Sequence, residues 1–174
     1  MFKLDLRLFS EAVQGKKLVY LFRPISKEST SAGTALAFTT ENGRTKSKDA
    51  ESTATKDGSI RTPGVTETEI TATCIMASDD TMIAALETAM EDDELIEVWE
   101  ANLEKVGTEE GTYKGAYYQG YLTSLEITSS AEDYVECSLT FGINGSGQSG
   151  DVTVSATQQE IASYVFRDTD IVSS

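Results

Sequence analysis

Histidine is absent from this 174-residue chain. That removes Ser–His and Cys–His nucleophilic catalysis, and with them the commonest metal ligand. Lysine or carboxylate chemistry remains formally open. However, no nucleophile elbow occurs, and a single S-x-x-K match has no supporting partners. Cysteine occurs twice, at Cys74 and Cys137, far apart in sequence. Both are expected as buried free thiols of a protein made in a reducing compartment, with a disulfide as the minor alternative. No apolar run is long enough to span a bilayer. The start, Met-Phe-Lys-Leu-Asp-Leu-Arg-Leu-Phe, lacks the continuous apolar centre of a signal peptide, so neither export by that route nor membrane embedding is expected.

Basic residues are also scarce. There are 14 Lys and Arg against 29 Asp and Glu, a net charge of −15. A chain this acidic is a poor candidate for gripping nucleic acid, whose phosphates call for Lys and Arg. The charge is unevenly distributed. Residues 1–64 carry 11 basic and 7 acidic side chains, whereas 65–174 carry 3 and 22. Residues 65–110 alone hold 14 acids against Lys105. Such asymmetry within one domain-sized chain gives a polar molecule with complementary faces, unless it serves only to keep the surface soluble.

The chain is organised around residues 41–64, which are almost without apolar side chains and hold Arg44, Lys46, Lys48, Lys56 and Arg61. Turn dipeptides Asn42-Gly43 and Pro63-Gly64 bracket the stretch, and Asp57-Gly58 lies inside it. Read for hydrophobic pattern, it is a long polar loop, and loops of that length are functional or disordered.

Around it the pattern is mostly β. Leu4, Leu6 and Leu8 alternate with charged residues as in a strand or extended arm, and 17–25 reads as a strand ending at Pro24. Residues 34–40 would complete a hairpin. In 65–76, Ile70, Ala72, Cys74 and Met76 face one way, while Glu67, Glu69, Thr71 and Thr73 face the other. Residues 78–90 read as the single helix, with Ser78 as N-cap, Asp79 and Asp80 in the first turn, and a stripe of Met82, Ile83, Leu86 and Met90. Glu91, Asp92, Asp93 and Glu94 then crowd the helix C-terminus, against the dipole. They mark either a functional site or a solvated loop. Further strands are expected at 95–103, 113–128 (with bends at Gly115 and Gly120), 134–141 and 151–157. The terminal 161–166 is apolar enough to pack back on the core. About eight to ten strands and one flanking helix make a mainly β, antiparallel sandwich or barrel-like single domain over 1–174.

Three motifs compete with plainer explanations. Gly145 to Gly150 matches G-x-G-x-x-G, but a strand follows instead of the helix a dinucleotide site needs, so 142–150 is expected as a flexible hairpin loop. The acids 91–94 lack the spacing of a calcium loop with its central glycine. Tyr113, Tyr117, Tyr118 and Tyr121 could line a small-ligand or carbohydrate site in a β-barrel binding module, but core and interface packing is the favoured account of them. No enzymatic activity, cofactor or metal is expected.

Arg-Thr-Lys-Ser at 44–47, Thr-Ala-Thr-Lys-Asp-Gly at 53–58 and Arg-Thr-Pro-Gly at 61–64 resemble the major tail proteins, or tail tube proteins, of bacteriophages with long non-contractile tails. The Thr-rich strand, the helix 78–90 and the Gly/Ser-rich 142–150 extend the resemblance along the chain. It implies a structural virion protein that self-assembles into stacked hexameric rings, a hollow conduit for DNA ejection. The implied partners are copies of itself, joined head to tail, with the tape measure protein and the tail tip and terminator proteins. Genomic DNA would pass through without specific binding, in a tail assembled in the host cytoplasm. A single-ring, terminator-like component is the near alternative. The charge asymmetry supports the resemblance independently, because head-to-tail contacts need two unlike, complementary patches. Arg44, Lys46, Lys48, Lys56 and Arg61 are therefore expected to reach the next ring. Glu67, Glu69 and the acids 91–94 are candidate partners or lumen-facing residues.

Overall fold

Alternating apolar residues give every long strand one face to bury, and a single curled antiparallel sheet results. The computed structural model describes residues 12–78 and 80–163. Its strands are β1 (Leu18–Pro24), β2 (Thr39–Thr55), β3 (Gly58–Ile75), β4 (Ile96–Val106), β5 (Thr112–Thr128), β6 (Glu136–Ile143) and β7 (Gln148–Thr153). Two helices accompany them, α1 (Thr81–Glu91) and α2 (Ala156–Ser163). The spatial order is β1-β4-β5-β6-β3-β2, with β7 paired to the first half of β5. The sheet curls over its own interior. Phe22 on β1 stacks on Phe141 on β6, ring centroids 4.9 Å apart, although β4 and β5 lie between those strands.

The interior holds Ile70, Ala72 and Cys74 of β3, Ile96 and Val98 of β4, Leu139 and Phe141 of β6, and Ile83, Leu86 and Ala89 of α1. A second, smaller cluster lies on the other face of β1 and β4, where Leu21, Ala101, Val152 and Val154 pack with Trp99 and Tyr113. The start of α2 closes that side. Tyr113 Oη donates to Gln159 Oε1, and Gln158 Nε2 donates to the Gly33 carbonyl.

β5 changes neighbours along its length. Its first half lies between β4 and β7, and its second half pairs with β6. Glycine permits both crossings. A Cβ at Gly115 would fall 2.0 Å from the Glu100 carbonyl oxygen, and one at Gly120 would fall 2.2 Å from that of Gly142.

Several expectations change. The stretch 41–64 is not an irregular loop but the outer part of the β2–β3 hairpin, turning at Lys56-Asp57. Thr and Ser alternate well in a pleated ribbon, but a ribbon solvated on both faces carries no hydrophobic period to reveal it. Residues 34–38 form no strand; a lone bridge joins Thr34 to Phe22. The 142–150 segment is not a hairpin loop. β6 ends at Ile143, β7 begins at Gln148, and the two pair with other strands instead of each other.

Helix α1 starts later than 78. Asp80, not Ser78, is its N-cap, because the Asp80 carboxylate accepts from the amides of both Met82 and Ile83 at 3.1 Å. Ala89 takes the buried place expected of Met90. The strand expected at 151–157 is instead β7 ending at Thr153 followed by α2 from Ala156, a helix that no sequence signal announces. The expected strand at 2–9, Asp79, and the side chains of 161–166 lie outside the described residues. Seven strands are seen among the described residues, with Cys74 and Cys137 free, buried and directly opposite each other on β3 and β6.

Candidate assembly interface

Two features stand apart from the core: an arm and a cleft at its root. β6 pairs with β3 only from Thr68 to Ile75, so the hairpin beyond Thr68 leaves the sheet as a free two-stranded ribbon. The ribbon has about ten residues per strand, which at ~3.3 Å each gives a projection of roughly 30 Å. Nearly every side chain from 44 to 67 is exposed, Val65 at 84%.

The register sorts the arm's charges. β2 runs from Glu41 to Thr55 without an extra residue, so Arg44, Lys46 and Lys48 share one face, opposite Ile70, Thr68 and Thr66. The register then shifts between Lys48 and Ala50, where Gly64 and Val65 together oppose Asp49. A Cβ at Gly64 would sit 3.1 Å from the Asp49 carbonyl oxygen. This bulge brings Arg61, opposite Ser52, onto the same face as the lysines. Asp49, Glu51, Glu67 and Glu69 occupy the reverse face. The arm is thus basic on the side continuous with the core and acidic on the other. Lys56 is in the turn at its tip.

The five predicted bases differ in their partners. Arg44 is tied inward: its Nε donates to Glu100 Oε2 at 2.8 Å and its Nη2 to Oε1 at 3.3 Å. Its guanidinium carbon lies 5.8 Å from the Tyr118 ring centroid. Tyr20 Oη donates to the same Glu100 carboxylate at 2.6 Å. Burial pushes the Glu100 carboxyl up, but the bonds from Arg44 and Tyr20 outweigh it, and its pKa settles below the usual carboxylate value. Burial and the same carboxylate push the Tyr20 phenol up. Lys46 Nζ donates to the Ser146 carbonyl at 3.0 Å. Among the described residues, Lys48, Lys56 and Arg61 have no ion-pair partner.

This network borders a cleft of about 340 Å³ lined by Arg44, Lys46, Glu100, Lys105, Lys114 and residues 146–149, where the β6–β7 connection enters β7. Sequence reasoning missed Glu100 and Lys114 and gave Lys105 and Tyr118 no place beside the arm, since only the curl of the sheet brings β2 over β4 and β5. Lys114 pairs with Asp151, and that lysine together with Thr108 lowers the Asp151 carboxyl to about 2.

The predicted acids are not one surface. Glu67 lies on the arm itself, and Glu69 at its root, where it still pairs with Gly142 of β6. Glu91–Glu94 end α1 and precede β4, whose first residue Ile96 pairs with Gly120, away from the arm's strands. There Asp93 takes a left-handed conformation (φ 52°), and the Glu94 amide bonds the Ala89 carbonyl at 2.7 Å. Glu94 Oε1 in turn accepts from the Ser26 amide at 2.6 Å. The four tyrosines form no common platform. Tyr118 packs in the main core, whereas Tyr117 lies against Trp99 on the opposite face and donates to Glu97 at 2.8 Å.

A family model for phage tail tube proteins matches residues 12–149. A protein of Staphylococcus phage phiMR25, described as a candidate tail protein, is 29% identical over 156 residues, covering 87% of this chain and 80% of that one. The SPP1 tail tube, solved by solid-state NMR and cryo-EM, superposes with a TM-score of 0.71 at 20% identity, covering 94% of this chain and 95% of that one. A chain of the native gene transfer agent particle gives 0.58 at 15% identity, covering 80% and 99%. The last two likenesses are of fold.

Proposed function

The chain belongs to the phage tail tube protein family, and from that membership we propose how its copies join. They form rings stacked head to tail, and the basic face of each arm lies on an acidic surface of the adjacent ring. The observation that carries this is the arm itself. Two-stranded ribbons exposed on both faces are marginal in water, and this one holds three bases without an ion-pair partner among the described residues. A cover from a second copy supplies both missing contacts. A head-to-tail contact is heterologous, so unlike ends on one subunit are what it requires. Single exposed ion pairs contribute only ~0–1 kcal/mol, and repetition around a ring supplies the rest.

Six-fold rings are the arrangement we adopt; the tail of the empty gene transfer agent particle was computed with C6 symmetry. In this reading the tube lies in the virion tail, follows assembly in the host cytoplasm, contains the tape measure protein and abuts tip and terminator proteins. The acidic excess keeps the bore from adhering to DNA phosphates, with Glu67 and Glu69 as candidate lining residues. The reading assigns the chain a scaffolding role and no catalysis.

The test is to replace Lys48, Lys56 and Arg61 together with alanine and compare tube yield by negative-stain microscopy. Folded subunits with impaired tube formation are expected. Wild-type yield would remove the arm from the contact, and compact monomers alone from the wild-type chain would remove the tube.

A further inference from the structure

The cleft at the arm's root is not explained by the fold. It gathers Arg44, Lys46, Lys105 and Lys114 around one carboxylate, Glu100, in a chain with 14 bases and 29 acids. Two of those charges are already matched, Arg44 by Glu100 and Lys114 by Asp151. The other two have no carboxylate of their own. Lys46 donates to the Ser146 carbonyl and shares the field of Glu100 with Arg44, and Lys105 has no hydrogen-bond or ion-pair partner among the described residues, so four cations face two carboxylates. The walls are preformed. Gly147, at φ 77°, lies so tightly against Tyr118 that a Cβ there would fall 2.2 Å from the ring, and Arg44 approaches the same ring. A polar hollow in which cations outnumber carboxylates is suited to accept an anion.

The opposite end of the molecule offers one. Antiparallel pairing puts the β5–β6 connection, 129–135, at the far end of the sheet from the arm. Glu126, Glu132, Asp133 and Glu136 are all exposed there, alongside Tyr134 at 80% and Ile127 at 47% exposure. No Lys or Arg occurs from 115 to 166. In a head-to-tail stack, this end of one copy approaches the arm end of the next.

We propose that the cleft is an ionic socket receiving a carboxylate from the β5–β6 end of a second copy of this chain. The proposal deepens the stacking reading and rests on it. The socket lies between the sheet ends themselves, whereas the arm would reach farther along the neighbour.

The experiment compares the full chain with Lys46→Glu/Lys105→Glu, with Glu132→Lys/Asp133→Lys, and with all four changes combined. Assembly is read by sedimentation and negative stain, and folding by thermal melting. Each pair alone is expected to lower the sedimenting fraction by about tenfold, as losing a pair of charge contacts does. The combined variant is expected to recover most of it. Lys105→Ala, a truncation of an exposed side chain, serves if the reversal unfolds the subunit. Normal tubes from the cleft variants overturn the proposal. Loss without recovery in the combined variant overturns the β5–β6 end as donor. Binding of a labelled duplex DNA by the wild-type subunit, abolished by Lys105→Glu, overturns it in favour of nucleic-acid phosphate. A wild-type chain that never forms tubes overturns the stacking reading instead, and the socket with it.

Discussion

Glu100 joins parts of the molecule that nothing in the sequence links. It lies 56 residues from Arg44 and 80 from Tyr20, and it holds both. Replacing Arg44 with Ala leaves a largely buried carboxylate without its cation. The expected cost is about 2 kcal/mol in denaturant unfolding, short of the full buried-pair penalty because Arg44 is partly solvated. The pH dependence has a definite sign. The folded Glu100 carboxyl titrates below its unfolded value, so its contribution is complete above the ordinary carboxylate pKa of ~4.3 and is lost as pH falls through the lower folded value. Melting temperatures of wild type and Glu100→Gln should therefore converge in acid and separate toward neutrality. A gap independent of pH would assign Glu100 a packing role only. Part of the residue scale was legible. Gly115 and Gly120 stand out as bends because strand glycines usually mark close backbone approach; Gly115 lies against the Glu100 carbonyl, and at Gly120 β5 passes from β4 to β6. The free buried cysteines were also foreseen, and burial and the facing Cys137 thiol push the Cys74 thiol up to about 12. Arg44–Glu100 was not legible, since a pair made by sheet curvature has no local signature.

Element α1 shows how a local rule was seen broken and then explained. Acids at a helix C-terminus oppose the dipole. Asp93 occupies the left-handed position that glycine usually fills, with the Glu94 amide reaching back to the Ala89 carbonyl and the Asp93 amide to that of Met90. Asp93→Gly should thus stabilise the fold by about 0.5–1 kcal/mol, by relieving both the backbone strain and one unfavourable charge. A lower melting temperature would show that the Asp93 side chain makes a contact worth more than its strain. The stripe on α1 was legible because burial against a sheet imposes the helical period. The arm was not, for the converse reason. Its strands pair with each other and bury nothing within the subunit, so only the Asp57-Gly58 turn signal announced a hairpin. Replacing 49–63 with a tight turn should consequently leave subunit stability almost unchanged while abolishing tubes. A large loss of stability would instead make the arm part of the monomer's own core.

Across the whole molecule, the sequence showed an uneven charge, and the fold turns it into a direction. The bases Lys46, Lys48, Lys56, Arg61, Lys105 and Lys114 gather at the end where the arm leaves, while the 126–136 acids lie at the other end. β5 has 17 residues and runs between the two ends, which are separated by roughly 50 Å along the strand. At that distance the ends of one subunit are screened from each other, because the Debye length is about 8 Å at physiological salt. Unlike ends of two subunits in contact are not screened to the same degree. Added salt should therefore act on association far more than on folding. Raising sodium chloride from about 0.05 to about 0.5 M should shift purified protein from tubes toward free subunits while the melting temperature of those subunits changes little. If apolar contacts such as exposed Val65 and Tyr134 dominated the joint instead, salt would leave assembly intact or strengthen it. A salt titration read by light scattering distinguishes these cases, because the two kinds of joint respond with opposite sign.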